Sequence, residues 1–108
     1  MSNKKNGQDS VVVPAPEQGK QKYVFRLFIS GVMQNSVQAI ENIKNICNTD
    51  LKDRYKLEVI DIYQQPEQAV IEQIIVIPTL IIKFPLPERT IIGDLSDHQK
   101  VMEVLNIH

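Results

Sequence analysis

Apolar and polar positions trade places along this chain with two different periods. The run Tyr23-Val24-Phe25-Arg26-Leu27-Phe28-Ile29 is β-branched and aromatic with partial alternation, which predicts a largely buried strand. Ser30-Gly31 ends it, since glycine allows backbone angles that other residues avoid. Asn35 is placed to cap a helix, with Gln38 in the capping-box position. Val37, Ile40, Ile43 or Lys44, Cys47 and Leu51 then recur at helical spacing and predict a helix from about Ser36 to Thr49. Lys56 to Ile62 alternates cleanly and predicts a second strand. Pro66 suits a first helical turn and Glu67 complements the helix dipole, so a short helix is expected over Pro66 to Gln73. Pro78 precedes a third strand, Thr79 to Phe84, and Pro85-Leu86-Pro87 makes a rigid turn into a fourth, Glu88 to Gly93. Ser96 is read as the cap of a last helix whose apolar face carries Val101, Met102, Val104 and Leu105.

The order is β-α-β-α-β-β-α. Two strands joined by a helix should be parallel, with a right-handed crossover. The proline-bounded pair should be an antiparallel hairpin. A four-stranded mixed sheet with helices on both faces follows, an α/β class with the thioredoxin arrangement. Ahead of it, residues 1–21 are rich in Ser, Asn, Lys, Gly, Gln and Pro, and only Val11-Val12-Val13 is apolar. Such a stretch buries too little to offset its ordering entropy, so it reads as a flexible tail before a domain spanning 22–108, with a short strand at Val11 to Val13 as the lesser alternative.

Composition narrows the function classes. The 108 residues leave room for one domain, and 43% hydrophobic with 23% charged is ordinary for a soluble one. Twelve basic against 13 acidic residues give a net charge of -1, which argues against broad electrostatic binding to nucleic acid or an anionic membrane. The longest apolar run, Ile74 to Ile82, is broken by Pro78-Thr79 and is too short to span a bilayer. Met1 to Gln21 has no apolar stretch of secretory type, so a cytoplasmic location is the simplest expectation.

The chemistry-bearing residues are sparse. A thioredoxin carries two closely spaced cysteines after its first strand, where the helix start lowers a thiol's pKa. Here that loop reads Gly31-Val32-Met33-Gln34-Asn35-Ser36 and holds no thiol. The single cysteine, Cys47, falls on the apolar face of the helix, where free cysteine acts as a small hydrophobe. His98 and His108 have no cysteine or carboxylate in ligand-like spacing. Asp61, Asp94 and Asp97 sit dispersed at strand ends and turns, where solvation and capping are their ordinary roles. No phosphate-binding glycine loop is present. Neither catalysis, a metal nor a cofactor is expected. Pro78 stands where thioredoxin-like domains place a cis-proline; the readings are a plain turn or a cis bond that presents main chain to a partner.

The segment Gly93-Asp94-Leu95-Ser96-Asp97 follows Phe84-Pro85-Leu86-Pro87-Glu88-Arg89-Thr90-Ile91-Ile92. With Pro78-Thr79-Leu80, Val59-Ile60-Asp61-Ile62 and Asn35-Ser36-Val37, it resembles the KaiB family of circadian clock proteins from about Tyr23 to Leu105. The resemblance implies a non-enzymatic regulator that binds a KaiC-type hexameric ATPase. Where the host has them, KaiA and a SasA-like histidine kinase, whose sensor domain is KaiB-like, are further implied partners. It also implies a second, resting fold with a rearranged C-terminal half, as a homo-oligomeric dimer or tetramer. Many clock members carry Gly and then, two residues later, Asp where this chain has Val104 and Asn106, and a lysine where it has Gln73. That pattern fits a divergent member, in a clock or a stress-response system; a SasA-like interaction module without a KaiC partner is the alternative. Arg26, Lys44, Lys56, Glu67, Gln73 and Arg89 are the candidate partner contacts. Pro78, Gly93, Asp94 and Ser96 are the candidate structural positions.

Overall fold

The computed structural model describes residues 11–13, 22–52 and 54–107. Its elements run β1 (Val11–Val13), β2 (Tyr23–Ile29), α1 (Gln34–Thr49), β3 (Tyr55–Asp61), α2 (Pro66–Ile71), β4 (Thr79–Phe84), β5 (Arg89–Ile92) and α3 (His98–Leu105). β2 and β3 are parallel, with Phe25 opposite Leu57 and Leu27 opposite Val59. β2 and β4 are antiparallel, as are β4 and β5. The four strands read from the sequence therefore form the mixed sheet expected of them. The sheet has five strands, however, in the order β1-β3-β2-β4-β5. Val11–Val13 pairs antiparallel with β3 and corrects the reading of those residues as tail. Three β-branched residues gain a ladder there because β3 would otherwise be an open edge, and Pro14, which has no N–H to donate, follows directly. The rest of the tail reading lies outside the described residues.

Alternation sorts the strands onto two faces. On one, Phe25, Leu27, Leu57, Leu80, Ile82 and Ile91 pack against Ala39, Ile43 and Cys47 of α1 and Val101 and Leu105 of α3. Each large side chain buried in this way contributes about 1.5–3 kcal/mol. The other face holds a much smaller cluster, Phe28, Ile60 and Ile81, with Ile62, Ile74 and Ile77 at its margin. α2 lies over this second face and buries no residue of its own.

The helix starts differ from expectation. α1 begins at Gln34, after Met33, with no side-chain cap, so Asn35 lies inside the helix. The turn is closed instead by Met33 N–H donating to Ser30 O and by Ser30 N–H donating to Ser36 Oγ. A Cβ at Gly31 would come 2.7 Å from Asp61 Oδ2, so a larger residue there would make that carboxylate shift. α3 is capped by Asp97, whose carboxylate accepts from Lys100 N–H; Ser96 does not cap it. Both short helices end in left-handed residues, Gln73 (φ 59) after α2 and Asn106 (φ 61) after α3. In each case the next N–H reaches back five residues, Ile74 to Ala69 O and Ile107 to Met102 O, and so satisfies a terminal carbonyl.

Candidate partner-binding face

The centre of the second sheet face is polar. Arg26 projects from β2, opposite Glu58 on β3 and Ile81 on β4. Its Nε lies 3.0 Å from Glu58 Oε1, its Nη1 2.7 Å from Glu72 Oε2, and its Nη2 donates to Gln68 Oε1 at 2.9 Å. The guanidinium also sits 5.4 Å from the centroid of the Phe28 ring. Glu72 receives a second cation, Lys83, at 3.2 Å, and Lys83 reaches Glu88 at 2.8 Å. Burial pushes the Glu72 carboxyl up, but the hydrogen bonds and charges of Arg26 and Lys83 outweigh it and hold the group below its ordinary range. Lys83 is held above its ordinary value by Glu88 first, against burial, and by Glu72.

This network explains how α2 turns its apolar residues outward. Gln68 and Glu72 face the sheet and bind Arg26. Val70 and Ile71 are 75% and 68% exposed, and Ile75 in the following loop is 92% exposed. Val76 and Ile92 extend the exposed apolar set towards the outer strand β5. A groove of about 170 Å³ runs between this loop and β5, lined by Gln73, Ile74, Val76, Thr90 and Ile92 among others. A monomer gains nothing from leaving so many branched side chains in water, and clustered exposure of this kind marks interaction surfaces.

The sequence-derived partner contacts separate on this structure. Lys56, Glu67 and Gln73 are exposed, with Lys56 on the α2 side of the sheet and Glu67 and Gln73 at the two ends of α2. Lys44 is exposed on α1, on the opposite side. Arg26 is largely buried in the network under α2. Arg89 donates to Val104 O, Pro85 O and Pro87 O, tying the end of α3 to the Pro-Leu-Pro turn. The residues not singled out from sequence are Gln68, Glu72 and Lys83 beneath α2 and the exposed Val70, Ile71 and Ile75. Their signal was the Val70-Ile71 pair and the Ile74-Ile75-Val76-Ile77 run, on either side of Glu72-Gln73.

The structural positions cluster at one end of the sheet. Ile77–Pro78 is cis, as are Phe84–Pro85 and Leu86–Pro87. Gly93 has φ +113 and donates its N–H to Pro78 O, so the Gly-Asp-Leu-Ser-Asp segment is anchored to the proline turn. Asp94 O accepts from Asn42 Nδ2 of α1, and Asp94 Oδ1 accepts from Ser96 N–H. Ser96 holds the Asp94 carboxyl below its ordinary range through side-chain and backbone hydrogen bonds. His98 contacts Asp50 at 3.2 Å, and His108 lies outside the described residues. Cys47 is fully buried, and burial pushes its thiol up to about 12. Among the described residues no group of His, Cys, Asp and Glu is arranged to hold a metal, and no helix is long and apolar enough to cross a membrane.

Comparison with known proteins agrees with this architecture. The KaiB domain model matches residues 26–107. Circadian clock protein KaiB3 of Synechocystis sp. is 48% identical over 86 residues, 80% of this chain and 84% of that protein. Circadian clock oscillator protein KaiB of Picosynechococcus sp. is 46% identical over 88 residues, 82% of this chain and 85% of that protein. Among solved structures, the N-terminal domain of SasA from Synechococcus elongatus superposes with a TM-score of 0.64 at 22% identity, covering 87% of this chain and 92% of that one. Chloroplastic thioredoxin z superposes at 0.67 and 18% identity, covering 82% and 79%. The two structural likenesses carry the fold; the matched domain and the identity to clock proteins establish that this chain belongs to the KaiB family.

Proposed function

We propose that this chain is a non-enzymatic regulator, in circadian timing or a related stress-response system, that docks on a KaiC-type hexameric ATPase through the α2 face. The observation that supports this reading is the outward display of Val70, Ile71 and Ile75 on a segment fixed to the sheet by the Arg26–Glu72 ion pair. Apolar residues at the centre and Lys56, Glu67 and Gln73 around them have the layout of a protein interface, with an apolar core and a polar rim. The thiol-free loop after β2 and the buried Cys47 support binding over redox catalysis. Such a partner selects the thioredoxin-like arrangement over a rearranged, homo-oligomeric resting form by population shift. KaiA and a SasA-like kinase are the further partners of this reading, and the cytoplasm is its compartment.

The test is gel filtration of the purified chain with a cognate KaiC in each nucleotide state after prolonged incubation. Co-elution is expected in at least one state, and Val70→Asp with Ile75→Asp should abolish it. Absence of co-elution in every state overturns the reading.

A further inference from the structure

The outer edge of β3 carries a feature beyond the apolar display of α2, although its Lys56 and Glu58 project on the same side of the sheet. β3 has seven residues, yet β1 pairs with only the stretch Leu57 to Val59: Val13 opposite Leu57, Val12 opposite Glu58, Val11 opposite Val59. In the sequence, Pro14 and Pro16, which have no N–H to donate to a ladder, follow this short cover. It is also outside the KaiB domain match, which begins at residue 26. The family module proper would therefore end at β3, an open row of backbone donors and acceptors on a strand that is apolar on one face.

We propose that this edge is a self-association surface whose occupant is the β3 strand of a second copy, and that β1 holds it shut within the single chain. The side chains of β3 are complementary to themselves. Two copies paired antiparallel about a two-fold axis at Leu57 set Lys56 opposite Glu58 of the second copy, twice. The same register sets Tyr55 opposite Val59 of the second copy, an aromatic and β-branched pair, with the two Leu57 residues facing one another. Lys56 and Glu58 project on the same sheet face, so the pairing is across the ladder rather than through it. Centring the axis on Glu58 instead puts two carboxylates directly opposite, which disfavours that register against the one on Leu57. That axis lies inside the stretch β1 covers, so the two occupants exclude one another. The short segment from Pro14 to Lys22 tethers β1 near its site at an effective concentration of about millimolar, and this favours the intramolecular cover at ordinary protein concentrations.

The test uses the full chain with Val12→Pro and Val13→Pro. Of two neighbouring strand residues one points its N–H at β3, so the pair of prolines removes a ladder donor in either phase. Sedimentation from micromolar to millimolar protein should show self-association tightened by ~10-fold or more, equivalent to ~1.4 kcal/mol. Adding Lys56→Glu should reverse it, since the substitution sets like charges across the two-fold. Hydrogen exchange should show protection along the outer side of β3 in the unmodified chain, lost in the monomeric Lys56→Glu triple variant. If the prolines unfold the chain, Val12→Gly with Val13→Gly gives the same readouts. Unchanged association, association insensitive to Lys56→Glu, or equal exchange of β3 with and without the substitutions would each overturn the proposal.

Discussion

Arg26 Nη1 and Glu72 Oε2 are 2.7 Å apart, and this contact joins the middle of the sheet to the end of the second helix. α2 buries no residue, so it lacks the apolar face that normally holds a helix down. Charge and hydrogen bonding do that work here, and the consequence is functional: the apolar side chains are left for something else to cover.

Glu72→Gln should loosen α2 without disturbing the rest of the fold. The substitution keeps the size and removes the charge that Arg26 and Lys83 share. With partners that are mostly but not wholly shielded, a loss of about 1–2 kcal/mol is expected in denaturant unfolding. Hydrogen exchange over α2 and the loop to Pro78 should quicken, while β2, β3 and β4 stay protected.

The same carboxyl gives the stability a defined pH dependence. Its folded pKa is depressed, so it contributes stability above the unfolded value and loses it as pH falls through the folded one. The stability gap between the unmodified chain and Glu72→Gln should be widest near neutral pH. It should close as the solution is acidified below the ordinary carboxylate range. A gap that stays constant through that range and below it would mean the charge on Glu72 contributes nothing.

The strand pattern was legible because alternation, proline and glycine are local signals, and the β2, β3 and β4 segments each carry them. Val11–Val13 reads as a strand only as the lesser alternative, because a three-residue run between polar and proline-rich stretches becomes a strand only where a sheet edge is available. The cap positions slipped for a similar reason. Ser36 lies within reach of Ser30 N–H across a turn, and Asp97 is better aimed at Lys100 N–H than Ser96 is; both depend on backbone direction. At the site, Arg26 and Arg89 read as exposed because arginine usually is. Alternation does put Arg26 on the face opposite Phe25 and Leu27, but only topology shows that Gln68 and Glu72 come down on it. For the same reason Val70 and Ile71 are not singled out: nothing local says that the polar face of α2 points inward.

Cys47 should be inert in the folded protein. Its thiol is fully buried with a pKa raised from 9.0 to about 12, so a thiol reagent at mildly alkaline pH should label it only on unfolding. A raised folded pKa means this group supports folding fully below pH 9 and costs stability as pH rises from there towards 12. Cys47→Ala should flatten that alkaline decline while creating a small cavity. Rapid labelling of the native chain would contradict the packing of α1 on the sheet.

The last helix offers a direct contest between two caps. Sequence favours Ser96, with Gln99 behind it; the structure gives the cap to Asp97, whose Oδ1 accepts from Lys100 N–H at 3.1 Å. Asp97→Ala should cost about 1 kcal/mol, the usual value of a lost N-cap. Ser96→Ala should cost less, since the Ser96 side chain and N–H both serve the Asp94 carboxylate, while the cap of α3 is Asp97. Thermal unfolding of the two variants side by side decides it. α3 closes the apolar side of the sheet with Val101 and Leu105, so fraying at its start propagates to the Gly93–Asp97 segment and the Pro78 turn bound to it. Asp97→Ala should therefore also quicken exchange at Gly93 N–H, which donates to Pro78 O, and Ser96→Ala should not. The reverse order of effects would return the cap to Ser96.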